Sequence, residues 1–254
     1  MLHADAGRFT LGPLTEVAAS THRWEELAPH APPGPASSVA AHERVVRGED
    51  LRGDNRVDPD VLELPLVLQP WEPAYPLASY GADQAQFPPP PLPAVEPVRL
   101  PTTVEVVDDP EGCRALLEVA AAWTGESNGR AEAVAVRGPA AAAIAALGVP
   151  TARLGELSTA EALAQLAWAG ASGGAHGRRR GMASGRFASW WSVAALAGLL
   201  DRWPVDPEGL GEAASALRWF SWDAGEPITG WSLRIAVEEG HEGWAWALAA
   251  TDAA

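Results

Sequence analysis

The sequence predicts an α/β fold, with α+β character toward the C-terminus, in which helices cover the faces of a mixed sheet. Two strand–helix units follow each other in the middle of the chain, which favours two parallel strands within residues 102–136. Three later strand candidates are joined by turn sequences that suit an antiparallel meander. We expect one domain over residues 1–254, with a helical N-terminal region over residues 1–63, an ordered Pro-rich wrap over 64–101 and an α/β core over 102–254.

The N-terminal region contains two helix candidates, Thr15–Leu27 and Ala36–Val46, separated by a proline-rich breaker. Eleven prolines between residues 64 and 101 exclude helices and central strands, because each proline removes a backbone donor and fixes φ. Aromatic residues recur among these prolines, whereas disordered linkers are poor in aromatics. We therefore interpret 64–87 as an extended wrap on the domain surface, followed by a polyproline II spacer at 88–91.

The core alternates β-branched or apolar runs with helices whose starts carry capping residues, such as Asp109-Pro110 and the capping box of Ser158 with Glu161. The predicted core elements are strand Thr103–Val107, helix Pro110–Trp123, strand Ala131–Val136, helix Pro139–Gly148, helix Ser158–Trp168, helix Gly181–Asp201, helix Asp206–Leu217, and strands Arg218–Trp222, Trp231–Glu238 and Trp244–Ala250. Nine of the twelve tryptophans lie between Trp168 and Trp246, which predicts that the packing of the core is densest toward the C-terminus. Trp219 and Trp222 fall on opposite faces of their strand, so we expect one of them to be partly exposed.

The composition excludes several classes of protein. A formal net charge of −15 disfavours nucleic-acid binding, because neutralising phosphates requires a basic face. The single cysteine, Cys113, excludes an intramolecular disulfide and a cysteine zinc cluster, and the histidines lack metal-site spacing, so no metal or cofactor is predicted. No Sec-type signal pattern opens the sequence, and its longest apolar run is shorter than the roughly 20 residues that span a bilayer. We expect a cytoplasmic protein that does not insert into membranes.

The segment ASGGAHGRRRGMASGRFASWW, residues 171–191, is the strongest candidate for a binding site and is called the Gly/Arg loop below. It holds five glycines, four arginines and no acidic residue, and it leads into an apolar helix. Cations at a helix start oppose the helix dipole by roughly 0.3–1 kcal/mol each, so the arginines need a counter-charge. An anionic small molecule or an acidic protein surface would supply it. The predicted ligand-binding residues are Gly174, His176, Gly177, Arg178, Arg179, Arg180, Arg186 and Trp190.

Other interpretations of this loop stay open. All 18 basic residues are arginines, which indicates a high-GC coding bias, so an arginine here need not imply specific recognition. The arginines could instead pair with the C-terminal third, residues 192–254, which holds ten Asp or Glu and three Arg. The small residues around Gly181–Gly185 could let the helix pack closely against a neighbour. Alternatively, the protein is an enzyme acting on a phosphorylated or carboxylated metabolite, with Asp223 supplying proton chemistry, or an assembly subunit, such as a homo-oligomer, that makes contacts through Pro-rich and Trp-rich surfaces.

For three further patterns, a structural role or chance is a simpler explanation than a catalytic or metal-binding role. Gly170–Gly174 spells GxSxG around Ser172, but an elbow serine needs a strand before it and a helix after it, and here a helix precedes and a loop follows. Cys113 lies near a helix start, where the dipole would activate it, yet a small core residue is the more common role. Glu238, Glu239 and Glu242 suit either a divalent-ion site or a solubilised turn.

Three stretches together resemble a family of actinobacterial proteins known as a domain of unknown function. They are LPLVLQPWEPAYPLASY at 64–80, SGGAHGRRRGMASGRFASWW at 172–191 and WFSWDAGEPITGWSLRIAVEE at 219–239. The resemblance covers most of the chain after about residue 40 and implies no activity, ligand or site residue. It does imply that the Pro-rich segment belongs to the same domain as the core.

Overall fold

The computed structural model describes residues 12–81, 85–227 and 229–253. Within these ranges helices pack on the faces of a seven-stranded sheet, which confirms the predicted fold class. The helices are α1 (Leu14–Thr21), α2 (Trp24–Leu27), α3 (Pro35–Val45), α4 (Pro110–Val119), α5 (Ala121–Glu126), α6 (Ala140–Ala146), α7 (Thr159–Ala171), α8 (Met182–Leu196) and α9 (Pro207–Ala216), with 3-10 turns at Ala28–His30 and Leu200–Arg202. The strands are β1 (Ser79–Tyr80), β2 (Ala85–Gln86), β3 (Glu96–Val98), β4 (Glu105–Val107), β5 (Arg130–Arg137), β6 (Ala152–Leu157), β7 (Leu217–Asp223), β8 (Trp231–Glu239) and β9 (Trp244–Asp252).

The large sheet has the order β3-β6-β7-β8-β9-β5-β4, and all of its described neighbours are antiparallel. The β7–β9 meander is confirmed, but the parallel pair predicted within residues 102–136 is wrong. Val107 at the end of β4 lies opposite Ala135, and β5 begins at Arg130, further along the direction of β4. The two helices α4 and α5 therefore carry the chain onward past β4, and β5 returns beside it. Strand–helix–strand order gives a parallel pair only when the helix runs back along the sheet.

Several element boundaries differ from those predicted. The first predicted helix is divided into α1 and α2, with His22 and Arg23 between them in extended conformations. The helix predicted to run from Pro110 to Trp123 is likewise divided at Ala120. The caps of Asp109 and Asp206 and the capping box of Ser158 form as predicted. Strand β6 was not predicted, because its sequence ARLGEL has a central glycine and little apolar alternation.

Each face of the sheet is covered by helices. Helices α4 and α7 cover the first face, α8 packs on both of them, and α3 packs on α8. The second face is covered by the alanine-rich α6. Trp219 lies in the core of the first face and Trp222 in that of the second, as the alternation predicts. The expected exposure of one of them is wrong, because both faces are covered: Trp219 is 1% and Trp222 is 4% exposed.

A short link joins the two edges of the sheet. Strands β3 and β4 are at opposite edges, six strand spacings apart, which is about 28–29 Å in a flat sheet. Residues 99–104 join them, and seven residue steps span at most about 25 Å. The sheet must therefore coil enough to bring its edges closer together. Leu100 and Val104 of the link pack with α6 in the core of the second face.

The Pro-rich segment forms an extended wrap, as predicted, with no helix among its described residues. Trp71 packs against Trp190, with ring centroids 4.9 Å apart, and its Nε1 donates to the Pro207 carbonyl. The tetraproline is held to α7 by Gln165, whose amide donates to the carbonyls of Pro90 and Pro91. The wrap is therefore integrated into the core packing and is not a linker.

Helices α7 and α8 pack closely against each other, and glycine permits this contact. A Cβ added to Gly185 would clash with the backbone carbonyl of Ala167 and contact the Cβ of Ala171. The prediction that small residues let this helix pack tightly is confirmed. In the described ranges, no helix combines the length and apolar character needed to cross a bilayer.

Candidate ligand-binding sites

Residues 172–181 of the Gly/Arg loop connect the end of α7 to the start of α8. Hydrogen bonds from their backbone amides hold this connection in place. The Arg180 amide donates to the carbonyl of Ala171, and the Ala175 amide donates to Asp252 Oδ2. Gly174 adopts φ of 69° directly against the Asp252 carboxylate, so a side chain at this position would be strained and would clash. The glycines thus serve a compact loop packed on β9.

Arg179 bonds to a buried carboxylate from the N-terminal region. Its Nη2 donates to both carboxylate oxygens of Glu16, at 2.8 and 2.9 Å, and the Glu16 side chain is fully buried. Tyr80 also donates to Glu16, and the guanidinium lies over the ring of Phe87, 3.8 Å from its centroid. This arginine fixes the loop to α1 and to the wrap.

Arg186, one turn into α8, forms a completely buried ion pair with Glu72 of the wrap. Its Nε and Nη2 both donate to the carboxylate at 2.7 Å, and its remaining donors bind the carbonyls of Pro65 and Val67. Glu72 also accepts from Trp190 Nε1. Arg186 and Trp190 are therefore used to hold the wrap on α8 and are not accessible from solvent.

Arg180 and Arg178 both donate hydrogen bonds to Glu126, at the end of α5. Arg180 Nη2 donates to the carboxylate at 2.7 Å, and the backbone amide of Arg178 donates to its other oxygen. His176 is exposed and its backbone amide donates to Ser127. No ion pair joins the Arg178 side chain to any residue in the described ranges.

The predicted site is thus divided. Gly174, Arg179, Arg186 and Trp190 are engaged in internal contacts, Gly177 packs against the backbone of Gly173, and His176, Arg178 and Arg180 face solvent. The counter-charges of the paired arginines are the protein's own carboxylates. They do not come from the C-terminal third, as one alternative predicted, because the partners of the loop arginines are Glu16, Glu126 and Glu72.

A second candidate site lies where two strands of the sheet separate. The ladder between β7 and β8 stops at the pair Ser221 and Ile235. Beyond it β7 continues to Asp223 paired only with β6, while β8 begins at Trp231 paired only with β9. The strands therefore diverge toward their connecting loop, and we call the gap the β7–β8 cleft. It contains a cavity of about 270 Å³ that is lined from both faces of the sheet.

The side chains of this cleft have open hydrogen-bonding capacity. Ser221, Trp222 and Arg234 line the cavity, and the buried atoms Ser221 Oγ, Trp222 Nε1 and Arg234 Nε have no hydrogen-bond partner among the described residues. Ser221 is 3% exposed and Trp222 is 4% exposed. An unpartnered buried donor or acceptor costs about 1–3 kcal/mol, and most such groups in folded proteins are satisfied. Three of them among the residues that line one cavity make this cleft a candidate binding site.

Arg218 and Arg234 provide a direct comparison on the second face. The Arg218 guanidinium lies 5.0 Å from the ring centroid of Phe220, and that of Arg234 lies 5.2 Å from the ring of Trp222. Arg218 donates to two carboxylates. Arg234 makes only a long ion pair with Glu226, Nη2 to Oε2 3.6 Å, and no described residue accepts a hydrogen bond from it.

Asp223 also lines the cleft, but its charge is already neutralised. Arg153 donates to both of its carboxylate oxygens, at 2.7 and 3.0 Å. The Arg153 hydrogen bonds hold the pKa of the Asp223 carboxyl below its usual range. Asp223 therefore stays ionised near neutral pH, which argues against its hypothetical role as a proton donor beside the loop arginines.

The other patterns take structural roles. Ser172 is fully buried and accepts a hydrogen bond from Trp123 Nε1, so its hydroxyl is not available as a nucleophile. Burial and the nearby Asp109 raise the pKa of the Cys113 thiol to about 11, which is opposite to activation. Glu238 caps α6 and pairs with Arg218. In the described ranges, no group of three His, Cys, Asp or Glu side chains is placed to hold a metal ion.

Sequence reasoning missed the cleft because strand divergence has no motif. One signal was present: the connection AGEPITG is much longer than the two-residue turn that closes an uninterrupted hairpin. Ser221, Trp222 and Arg234 otherwise look like ordinary strand residues.

The chain belongs to a family described as a family of unknown function, DUF6183, which matches residues 2–254. The family membership indicated by the three stretches is confirmed, and it includes the Pro-rich wrap. No curated protein matches the chain. No solved structure matches it either.

Proposed function

We propose that this protein binds a small organic anion in the β7–β8 cleft. The observation that carries the proposal is that three residues lining one cavity, Ser221, Trp222 and Arg234, each have a buried polar side-chain atom without a described partner. Oxygen acceptors of a ligand would satisfy these groups, and the guanidinium favours a negative charge. The size of the cavity, about 270 Å³, suits a metabolite and not a macromolecule.

Thermal unfolding with small anions tests this proposal. We expect at least one anion of a panel that includes benzoate and succinate to raise Tm, because a ligand that binds only the folded state stabilises it. Arg234→Ala should abolish the increase. Arg218→Ala is the matched control, since Arg218 also covers an aromatic ring but already has carboxylate partners. Equal loss in both variants would show a general charge effect and contradict the proposal.

Native mass spectrometry of freshly purified protein gives an independent readout. A retained small molecule that is absent from Arg234→Ala supports binding in the cleft. If no molecule is retained and no anion changes Tm, the protein is not a small-anion binder of this kind. The same spectrum reports the oligomeric state, and a strict monomer would contradict the alternative of a homo-oligomeric assembly subunit.

A second proposal concerns the exposed residues of the Gly/Arg loop. His176, Arg178 and Arg180 are exposed in a protein of net charge −15, and Arg178 has no described ion-pair partner. We propose that an acidic protein surface binds here. Arg178→Ala should weaken capture of such a partner and leave anion binding in the cleft unchanged; the reverse result would contradict both assignments.

We also propose the source and the cellular location of the protein from its amino-acid composition. Basic residues that are all arginine support an actinobacterial, high-GC source, and a single cysteine supports a cytoplasmic location.

A further inference from the structure

We infer that the anionic group bound in the β7–β8 cleft is a single carboxylate, and that it takes the place of the Glu226 carboxylate on Arg234. This inference rests on the proposed function of the cleft. It names the chemical class of the ligand and identifies Glu226 as a built-in competitor. The charges of the cavity, its apolar walls and the geometry of Glu226 each support it.

The positive charge that the cavity offers to a ligand is that of one guanidinium, Arg234. Three charged residues line it, Asp223, Glu226 and Arg234, and Asp223 is already paired with Arg153 outside the cavity. A phosphate ester carries about −1.5 to −2 charges at neutral pH and is usually bound by several cations or by a helix N-terminus. No helix start is among the residues lining this cavity. A monoanion matches the charge of one arginine, whereas a dianion would keep one negative charge without a counter-ion.

The donors suit a planar carboxylate. Arg234 and Trp222 lie side by side on the second face, and both Arg234 Nε and Trp222 Nε1 lack described partners. A guanidinium and a neighbouring N–H can each donate to one of the two oxygens of a carboxylate. Leu92, Val95 and Leu233 add apolar wall, so the ligand we expect is a monocarboxylic acid with an apolar body.

Glu226 already offers a carboxylate to Arg234, but holds it weakly. The Nη2–Oε2 distance of 3.6 Å is longer than a hydrogen bond, and 72% of the Glu226 side chain is exposed, so solvent and salt screen the pair. A ligand carboxylate that reaches the buried Nε gains contacts that Glu226 lacks. Glu226 therefore swings away when the ligand enters, and its removal should tighten binding by up to about fivefold.

The indole N–H signal of Trp222 in a nitrogen-15 correlation spectrum tests the inference, with its assignment taken from Trp222→Phe. The probes are benzoate, phenyl phosphate and benzyl alcohol, which share an aromatic body and differ in the polar group. Benzoate should move the Trp222 signal in a saturable titration, and the other two should move it at least about fivefold less at equal concentration. Arg234→Ala should abolish the response to benzoate.

Glu226→Gln separates the competitor role from a general effect of charge. We expect it to lower the Kd for benzoate by about two- to fivefold, while the matched variant Glu156→Gln, which removes an equally exposed carboxylate beside Arg218, leaves the Kd unchanged. An unchanged Kd in Glu226→Gln, or a stronger response to phenyl phosphate, overturns the inference but leaves anion binding in the cleft intact. If none of the probes moves the signal, and native mass spectrometry also finds no retained ligand, the proposed function itself fails.

Discussion

The Gly/Arg loop and the β7–β8 cleft both present arginines, yet they use them in opposite ways. In the loop, Arg179, Arg180 and Arg186 each bond to a carboxylate of the same chain, and the Arg186 pair is completely buried. In the cleft, the Arg234 guanidinium makes no hydrogen bond to a described carboxylate and has one long ion pair, with Glu226. The arginines of the Gly/Arg loop therefore hold parts of the chain together, while the single strand arginine Arg234 lies at the candidate binding site.

The largest expected effect concerns the buried pair of Arg186 and Glu72. Arg186→Ala leaves a buried carboxylate and two backbone carbonyls without their donor, so we expect a loss of about 3–5 kcal/mol in the free energy of unfolding. Urea denaturation measures it. The double variant Arg186→Met with Glu72→Leu should be less destabilised than either single change, because no unpaired charge remains. Additive losses would mean that the two residues do not act as a pair.

The next effect tests whether Gly185 of the Gly/Arg loop permits the close packing of α7 and α8. Gly185→Ala inserts a methyl group against the Ala167 carbonyl, and we expect a loss of about 1–3 kcal/mol in the free energy of unfolding. Gly125→Ala in α5 is the control, because a Cβ there meets nothing within 4 Å. It should stabilise the protein by about 0.5–1 kcal/mol through its helix preference. A neutral Gly185→Ala variant would show that the α7–α8 contact is less tight than described.

The network beneath the loop predicts opposing pH dependences at two adjacent residues of α3. Burial and the nearby Glu16 raise the pKa of Glu43 from 4.5 to about 7, so its contribution to stability is complete below pH 4.5 and is lost as the pH rises through 7. Burial and Arg186 lower the pKa of His42 from 6.5 to about 4, so its contribution is complete above pH 6.5 and declines as the pH falls toward 4.

Chemical denaturation between about pH 5 and 6.5 tests these signs, with each variant compared with the wild type. Glu43→Gln removes a contribution that falls with pH, so its stability relative to the wild type should rise as the pH increases. His42→Gln keeps a donor for the Val61 carbonyl and removes a contribution that rises with pH, so its relative stability should fall. Two difference curves of the same slope would contradict the assignment.

The smallest effects on stability are expected at Arg178 and Arg234, whose side chains make no hydrogen bond to another side chain in the described ranges. Arg178→Ala and Arg234→Ala remove no hydrogen bond between side chains in the described ranges, and we expect each to change the free energy of unfolding by less than about 1 kcal/mol. Urea denaturation in the absence of ligand measures it. A large loss at Arg234 would place it among the structural arginines and remove the contrast between the two regions.

Short sequence patterns predicted the fold well where the feature depends on one helix, one strand or one turn. The caps at Asp109 and Asp206 and the meander after Leu217 depend on neighbouring residues, and these formed. The direction of β5 relative to β4 depends on how α4 and α5 are placed, which no local pattern encodes. The partners of the loop arginines, Glu16 and Glu72, are more than a hundred residues away in sequence, so composition pointed to the wrong third of the chain.

The short link of residues 99–104 has a consequence for how the chain folds. Strands β7, β8 and β9 meet through local turns, whereas the link can be accommodated only when both outer strands are in place. Pairing the outer strands closes longer loops than the meander does, which loses entropy before any contact compensates for it. We therefore expect the meander to assemble early and the link to be ordered last. Amide hydrogens in β8 and β9 should accordingly exchange most slowly, and those of β3 and β4 should exchange first.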